Sequence, residues 1–149
     1  MVGELTSEQI DQVMLRQVIG RIGCCDADKL YVVPVTFAFD GNRIYAHSKE
    51  GRKIKMMRNN PNVCFQVDEI ENMANWRSVI LWGHYKELTS ERERQRAMKI
   101  LVDRIAPFQA GETSHTKEHS RAPQIVEKKK RAVVFQIEVK EKTGRFERS

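Results

Sequence analysis

Six short runs rich in β-branched and aromatic residues, linked mostly as hairpins, constrain this chain more than any other feature. They fall near Arg21 to Cys25, Leu30 to Phe39, Arg43 to His47, Val63 to Asp68, Arg77 to Leu88 and Ala132 to Val139. Asp26-Ala27-Asp28-Lys29 reads as one hairpin loop. Asp40-Gly41-Asn42 reads as another, because Gly beside Asp and Asn supplies the backbone freedom a tight turn needs. In the last run Val133, Phe135, Ile137 and Val139 alternate onto one face. Pro34 interrupts the second run; it cannot donate to a ladder, so it marks an edge, a bulge, or the approach of something other than a strand.

Three helical stretches flank these runs. Thr6 and Gln9 have capping-box spacing before a helix from about Ser7 to Ile19, whose apolar residues are Ile10, Val13, Met14 and Val18. A short helix from about Gly51 to Arg58 is stopped by Asn59-Asn60-Pro61, and Met56 and Met57 read as its packing residues. Ser90 and Glu93 open a third helix, Glu91 to Ile105, with the stripe Met98, Leu101, Val102 and Ile105. Pro107 to Pro123 is polar and reads as a long loop. The expectation is a single domain over residues 1–149 of mainly β (α+β) class, either a small β-barrel or an α+β sheet. Barrel closure would remove the exposed edges that six strands otherwise leave.

The chain has 149 residues, 40% of them hydrophobic, which suffices for a core without disulfides. Cys24, Cys25 and Cys64 are odd in number, and two are adjacent, so they form no disulfide framework; Cys24 and Cys25 should point to opposite faces of a strand as small packing residues. No apolar run approaches bilayer length, and Met1-Val2-Gly3-Glu4 lacks a secretory pattern, so no membrane association and a cytoplasmic location are expected. With 26 Lys plus Arg against 20 Asp plus Glu, the net charge of +6 favours anionic partners. Lys128-Lys129-Lys130-Arg131 is the one dense basic run and reads as a solvated turn.

The stretch His47-Ser48-Lys49-Glu50-Gly51-Arg52-Lys53 passes from a strand end into a helix start. Unpaired N–H groups and the dipole at a helix N-terminus attract an anion. Ser48 could donate a hydroxyl, Gly51 permits close approach, and Arg52 and Lys53 offer a planar fork and a point charge. The same residues also describe an ordinary Ser-capped helix with basic residues in water.

Four pieces in order resemble the pyridoxamine 5′-phosphate oxidase-like flavoprotein superfamily, nearest its nitroimidazole-resistance subgroup. They are Ile19-Gly20-Arg21-Ile22-Gly23, then Tyr31-Val32-Val33-Pro34-Val35-Thr36-Phe37, then His47-Ser48-x-x-Gly51-Arg52-Lys53 with Asn60-Pro61, and last Trp76-x-Ser78-Val79-x-x-x-Gly83. The ending Ile137-Glu138-Val139 with Thr143-Gly144-Arg145 is also similar. The resemblance implies a six- to seven-stranded antiparallel split β-barrel with flanking helices, a homodimer, and FMN in clefts between subunits. It implies that His47, Ser48, Arg52 and Lys53 hold the phosphate and ribityl chain. Val32, Val33, Pro34 and Val35 would run past the flavin ring, with backbone groups at its polar edge, and Trp76, Ser78 and Val79 would form a second contact. The segment Val32 to Phe37 lacks the flanking basic residues of the pyridoxamine oxidases proper, and their C-terminal arginine motif is not evident, which argues against that oxidation itself.

His47 is the one candidate for acid–base chemistry, since imidazole titrates near neutrality. His84 reads as structural or solvent-facing. His115 and His119 have i, i+4 spacing but no amphipathic helix and no third ligand, so no metal site is assigned. Tyr31, Phe37 and Phe39 could stack bases in a nucleic-acid-binding barrel, but Val33 and Val35 on the same face favour a core. The expected function is an FMN-dependent oxidoreductase passing hydride or electrons to or from a small organic substrate, with nicotinamide a candidate donor. A flavin- or haem-binding protein without turnover is the rival.

Overall fold

Thr6 starts the first helix as its spacing to Gln9 predicts. Its hydroxyl accepts the Gln9 N–H at 3.2 Å, while the Gln9 side chain accepts the Thr6 N–H at 2.9 Å. The computed structural model describes residues 1–109 and 132–149. In them the order is β1 (Val2–Glu4), α1 (Ser7–Arg16), β2 (Ile19–Asp26), β3 (Lys29–Thr36), β4 (Ala38–Phe39), β5 (Arg43–Ser48), α2 (Arg52–Asn59), β6 (Asn62–Asn72), β7 (Asn75–Glu87), α3 (Glu91–Gln109) and β8 (Val133–Glu147). His115, His119, the basic run Lys128 to Arg131 and most of Pro107 to Pro123 lie outside the described residues.

The fold is mainly antiparallel β, as expected, but its described strands number eight rather than six or seven. β1 pairs with the far end of β8, Val2 opposite Glu147, and the Leu30 to Phe39 run splits into two strands at Phe37. The first helix ends at Arg16, because Ile19 is needed in β2 opposite Thr36. β6 and β7 run on into a hairpin whose tip is held by Asn72, which accepts the Ala74 N–H at 2.9 Å. α3 continues through Pro107, which forfeits one helical bond near its end. Its buried residues are Ala97 and Leu101, and Val102 is 57% exposed, against the expected stripe.

The sheet order is β3-β2-β6-β7-β8-β5-β4. The two ends of that path, β3 and β4, are separated along the chain by Phe37 alone. The sheet must therefore curl until its ends are neighbours, yet no ladder joins them among the described residues. This is an open, split barrel.

Phe37 fills the seam. It is fully buried and meets Phe65 edge-to-face with ring centres 4.9 Å apart. Ile22, Ile44, Leu81 and Phe135 surround the pair, and Met14 from α1 with Ile54, Met56 and Met57 from α2 close the interior. Each such burial contributes roughly 1.5–3 kcal/mol. The Tyr31 to Phe39 face turns into this core, as a core-facing strand should, and is no stacking platform. Tyr45, Leu88, Ala97, Leu101 and Val134 form a second cluster under α3. No helix among the described residues is long and apolar enough to cross a membrane.

Candidate functional site

Pro34 sits within β3 without breaking it because β3 ends the sheet and pairs only with β2. Ala27-Asp28 is a two-residue loop, so Asp26 opposite Lys29 closes the hairpin, and hydrogen-bonded pairs recur at every second residue. The bond from the Phe37 N–H to the Val18 carbonyl, 2.9 Å, keeps that phase. Pro34, opposite Arg21, falls on the other phase, where its nitrogen faces the open edge and needs no proton. The same alternation turns the Val32 N–H and C=O and the Pro34 C=O to the open edge. The Val32 side chain is 68% exposed, whereas Val33 and Val35 pack into the core, so only their backbone could meet a ligand.

β5 carries the chain to α2 beside this edge. The Arg52 guanidinium lies 5.8 Å from the centre of the Tyr31 ring on β3. Gly51 is the N-cap of α2, no side chain caps the first turn, and that turn contains no acid. Ser48 does not cap it; its hydroxyl donates to the Lys49 carbonyl at 3.0 Å. Lys53 is half-buried, and burial pulls its pKa below the ordinary ammonium value, an effect partly offset by the nearby Cys24 thiol. Among the described residues neither Arg52 nor Lys53 has a carboxylate partner. Glu50, the acid next to them in sequence, is turned to Arg58 at 2.7 and 2.9 Å, and Arg58 also holds Glu87 at 2.8 and 3.1 Å. Two cations thus stand at the positive end of a helix dipole, beside an edge with unpaired backbone groups. An anion would compensate both cations and the free N–H groups of the helix start, while the edge carbonyls call for a hydrogen-bond donor.

His47 does not join them. Alternation along β5 puts its ring on the side that carries Tyr45 and α3, while Ser48 shares the inner side with Ile44 and Ala46. The second expected stretch also lies apart. Val32, Gly23, Cys64 and Trp82 form one row across the sheet, and Trp76 is six residues along β7 from Trp82, or roughly 20 Å at strand spacing. The Trp76 indole donates to Glu147 at 3.1 Å, Ser78 accepts from Gln66 at 3.0 Å, and Val79 is fully buried. Among the described residues no group of three or more His, Cys, Asp or Glu is placed to hold a metal.

The sequence profile of the family described as pyridoxamine 5′-phosphate oxidase matches residues 6–146. The chain belongs to that family. An uncharacterized protein of Rhizobium meliloti is 32% identical over 145 residues, 95% of this chain and 92% of the relative. The crystal structure of a FAD-binding protein from Mesorhizobium loti superposes with a TM-score of 0.79 at 27% identity, covering 100% of this chain and 98% of that one. A candidate 5-nitroimidazole antibiotic resistance protein from Bacteroides thetaiotaomicron shares the fold, with a TM-score of 0.72 at 19% identity over 98% of this chain and 87% of that one.

In this pyridoxamine 5′-phosphate oxidase family member, sequence reasoning missed Lys140 and Trp82. Both line a groove on the outer side of the sheet, together with His84, which is exposed as expected. Gly83 was the available signal, since a glycine inside a strand often marks a bulge.

Proposed function

We propose that the chain binds FMN across the open β3 edge and the α2 start, and works as a homodimeric oxidoreductase on a small organic substrate. One observation carries the reading: Lys53 is a half-buried ammonium without a carboxylate partner among the described residues, next to Arg52 at an uncapped helix start. That arrangement suits one terminal phosphate, which favours FMN over a longer flavin. Ser48, Arg52 and Lys53 would hold the phosphate. The outward backbone groups of Val32 and Pro34 would meet the polar edge of the ring, as strand edges meet any planar hydrogen-bonding partner. Bound there, the flavin would supply hydride or electron transfer.

Distance and exposure support the homodimer. Trp76 lies roughly 20 Å along β7 from the row that holds Val32, so a second copy would be the one to bring Trp76 and Ser78 to the flavin. Ile19 and Ile80 are 54% and 37% exposed on the outer face of the sheet and give such a copy an apolar surface to cover.

An absorbance spectrum of the purified protein, followed by titration with FMN and with FAD, tests this. Flavin bands with tighter binding of FMN support the proposal. Colourless protein that binds neither flavin sinks it, and a Soret band points to haem. If FMN binds but nicotinamide is oxidised no faster than by free FMN, the nicotinamide-linked reaction falls and the chain is read as a flavin binder.

A further inference from the structure

The outer face of β2, β3, β6 and β7 holds a groove of about 480 Å³. Gly23, Cys64 and Trp82 form its floor, and Leu30 and Val32, 78% and 68% exposed, flank it. Among the described residues that line it there is no acid, and Lys140 is the one Lys or Arg.

Lys140 reaches the groove because of a β-bulge. β8 pairs Glu141 with Trp82 and Val139 with Gly83, so Lys140 is the extra residue between them. Gly83 permits it: a Cβ there would lie 2.2 Å from the Glu138 carbonyl oxygen. Bulges re-aim a side chain out of the regular alternation, and here the side chain is an ammonium that lines the same groove as the Trp82 indole. Glu138 forms an ion pair with Lys140, but both are about half exposed, and such pairs contribute little. The ammonium keeps two further donors.

We propose that this groove binds a small planar arenecarboxylate of one or two rings, with the rings against Trp82, Leu30 and Val32 and the carboxylate on Lys140 Nζ. Val32 turns its side chain to the groove and its backbone to the open edge. An occupant would therefore lie beside the flavin ring, as a substrate should, and in that respect the inference rests on the flavin reading.

Calorimetric titration of the full-length protein with 2-naphthoate and with neutral 2-naphthamide tests the binding. Naphthoate should bind about tenfold more tightly, the scale of one charge-assisted hydrogen bond. Lys140→Gln should erase that preference, leaving naphthamide and FMN affinities unchanged, and Trp82→Phe should weaken both ligands less than Trp82→Ala does. A preference that survives Lys140→Gln overturns the proposal. Equal binding of the two ligands overturns it as well, as does binding of neither because a second copy covers the groove. Protein that binds no flavin yet shows the Lys140-dependent preference upholds the groove while removing the flavin reading.

Discussion

At its C-terminal end α2 sets Arg58 between Glu50 and Glu87, whereas at its N-terminal end it sets Arg52 and Lys53 with no carboxylate partner among the described residues. Both ends belong to one eight-residue helix, so local composition does not explain the contrast. A helix built for stability places acids in its first turn and bases in its last. Arg58 obeys that rule, while each cation at the other end opposes the dipole by about 0.3–1 kcal/mol. Natural sequences break such rules where a function compensates, and an anionic ligand is the compensation available here. Between the ends, Ile54 and Met57 are fully buried and fix the whole helix to the barrel.

The largest expected effect removes that common anchor. Ile54→Ala should cost about 2–5 kcal/mol of stability by chemical denaturation, because all the buried side-chain carbons beyond Cβ are lost and a cavity is left. Flavin affinity should fall with it, since both ends move together. Unchanged affinity in the variant that remains folded would mean that α2 does not position the site. The next effect separates the ends. Arg52→Ala with Lys53→Ala should weaken FMN binding by at least ~2 kcal/mol, from lost charge-assisted bonds. The flavin-free protein should keep its stability or gain a few tenths of a kcal/mol, roughly what relief of the dipole conflict gives. A denaturation midpoint that falls in step with affinity would make these cations structural.

Much of this contrast could be read from the residues, because it depends on local chemistry. Thr6 and Gln9 announced α1, and Asp40 with Gly41 announced a turn in which Gly41 has a φ of 103° and Asp40 accepts the Asn42 and Arg43 N–H groups. Pro61 ended α2 within a residue or two of the expected place. Non-local features were not legible. β1 exists only because Val2 to Glu4 meet a strand about 143 residues later, and three residues carry no periodicity of their own. The α3 stripe was misassigned at Val102, because a small Ala97 lets the helix lie close over Tyr45 and Val134. Motif matching grouped His47 with Ser48, although simple alternation along β5 already sends them to opposite faces. That Lys53 has no carboxylate partner among the described residues is a fact of three-dimensional placement: Glu50 is three residues away in sequence but committed to Arg58.

A smaller effect comes from the charge of Lys53 alone. Burial holds its folded pKa below 10.5, so the flavin-free protein carries the cost of a desolvated ammonium in full below that depressed value. The cost is relieved as pH rises through it toward 10.5. A bound phosphate favours the ammonium, so binding takes up a proton in that window, and FMN affinity should decline there as pH rises. Lys53→Arg keeps its charge throughout and should flatten the profile. A decline that persists in Lys53→Arg would assign the titration to another group.

The smallest effect lies at the other end of the helix. Arg58→Ala should lower the thermal midpoint slightly and leave FMN affinity unchanged, because Arg58 is an exposed partner of one exposed carboxylate, Glu50, and one partly buried one, Glu87. Its pH dependence identifies the cause. The bond from Arg58, with the weaker bond from Tyr85, holds the Glu87 carboxyl below its usual pKa of 4.5 against the opposing effect of burial. A carboxylate with a depressed folded pKa contributes stability above its unfolded pKa and loses it as pH falls through the folded one. The gap between wild type and Arg58→Ala should therefore be widest near neutrality and close as pH falls from 4.5 through the depressed folded value, where Glu87 takes up its proton. A gap that stays constant into acid would mean that Arg58 acts through the packing of its aliphatic stem, not its charge. A loss of FMN affinity in the same variant would show that the two ends of α2 are one coupled network and that the division between them is wrong.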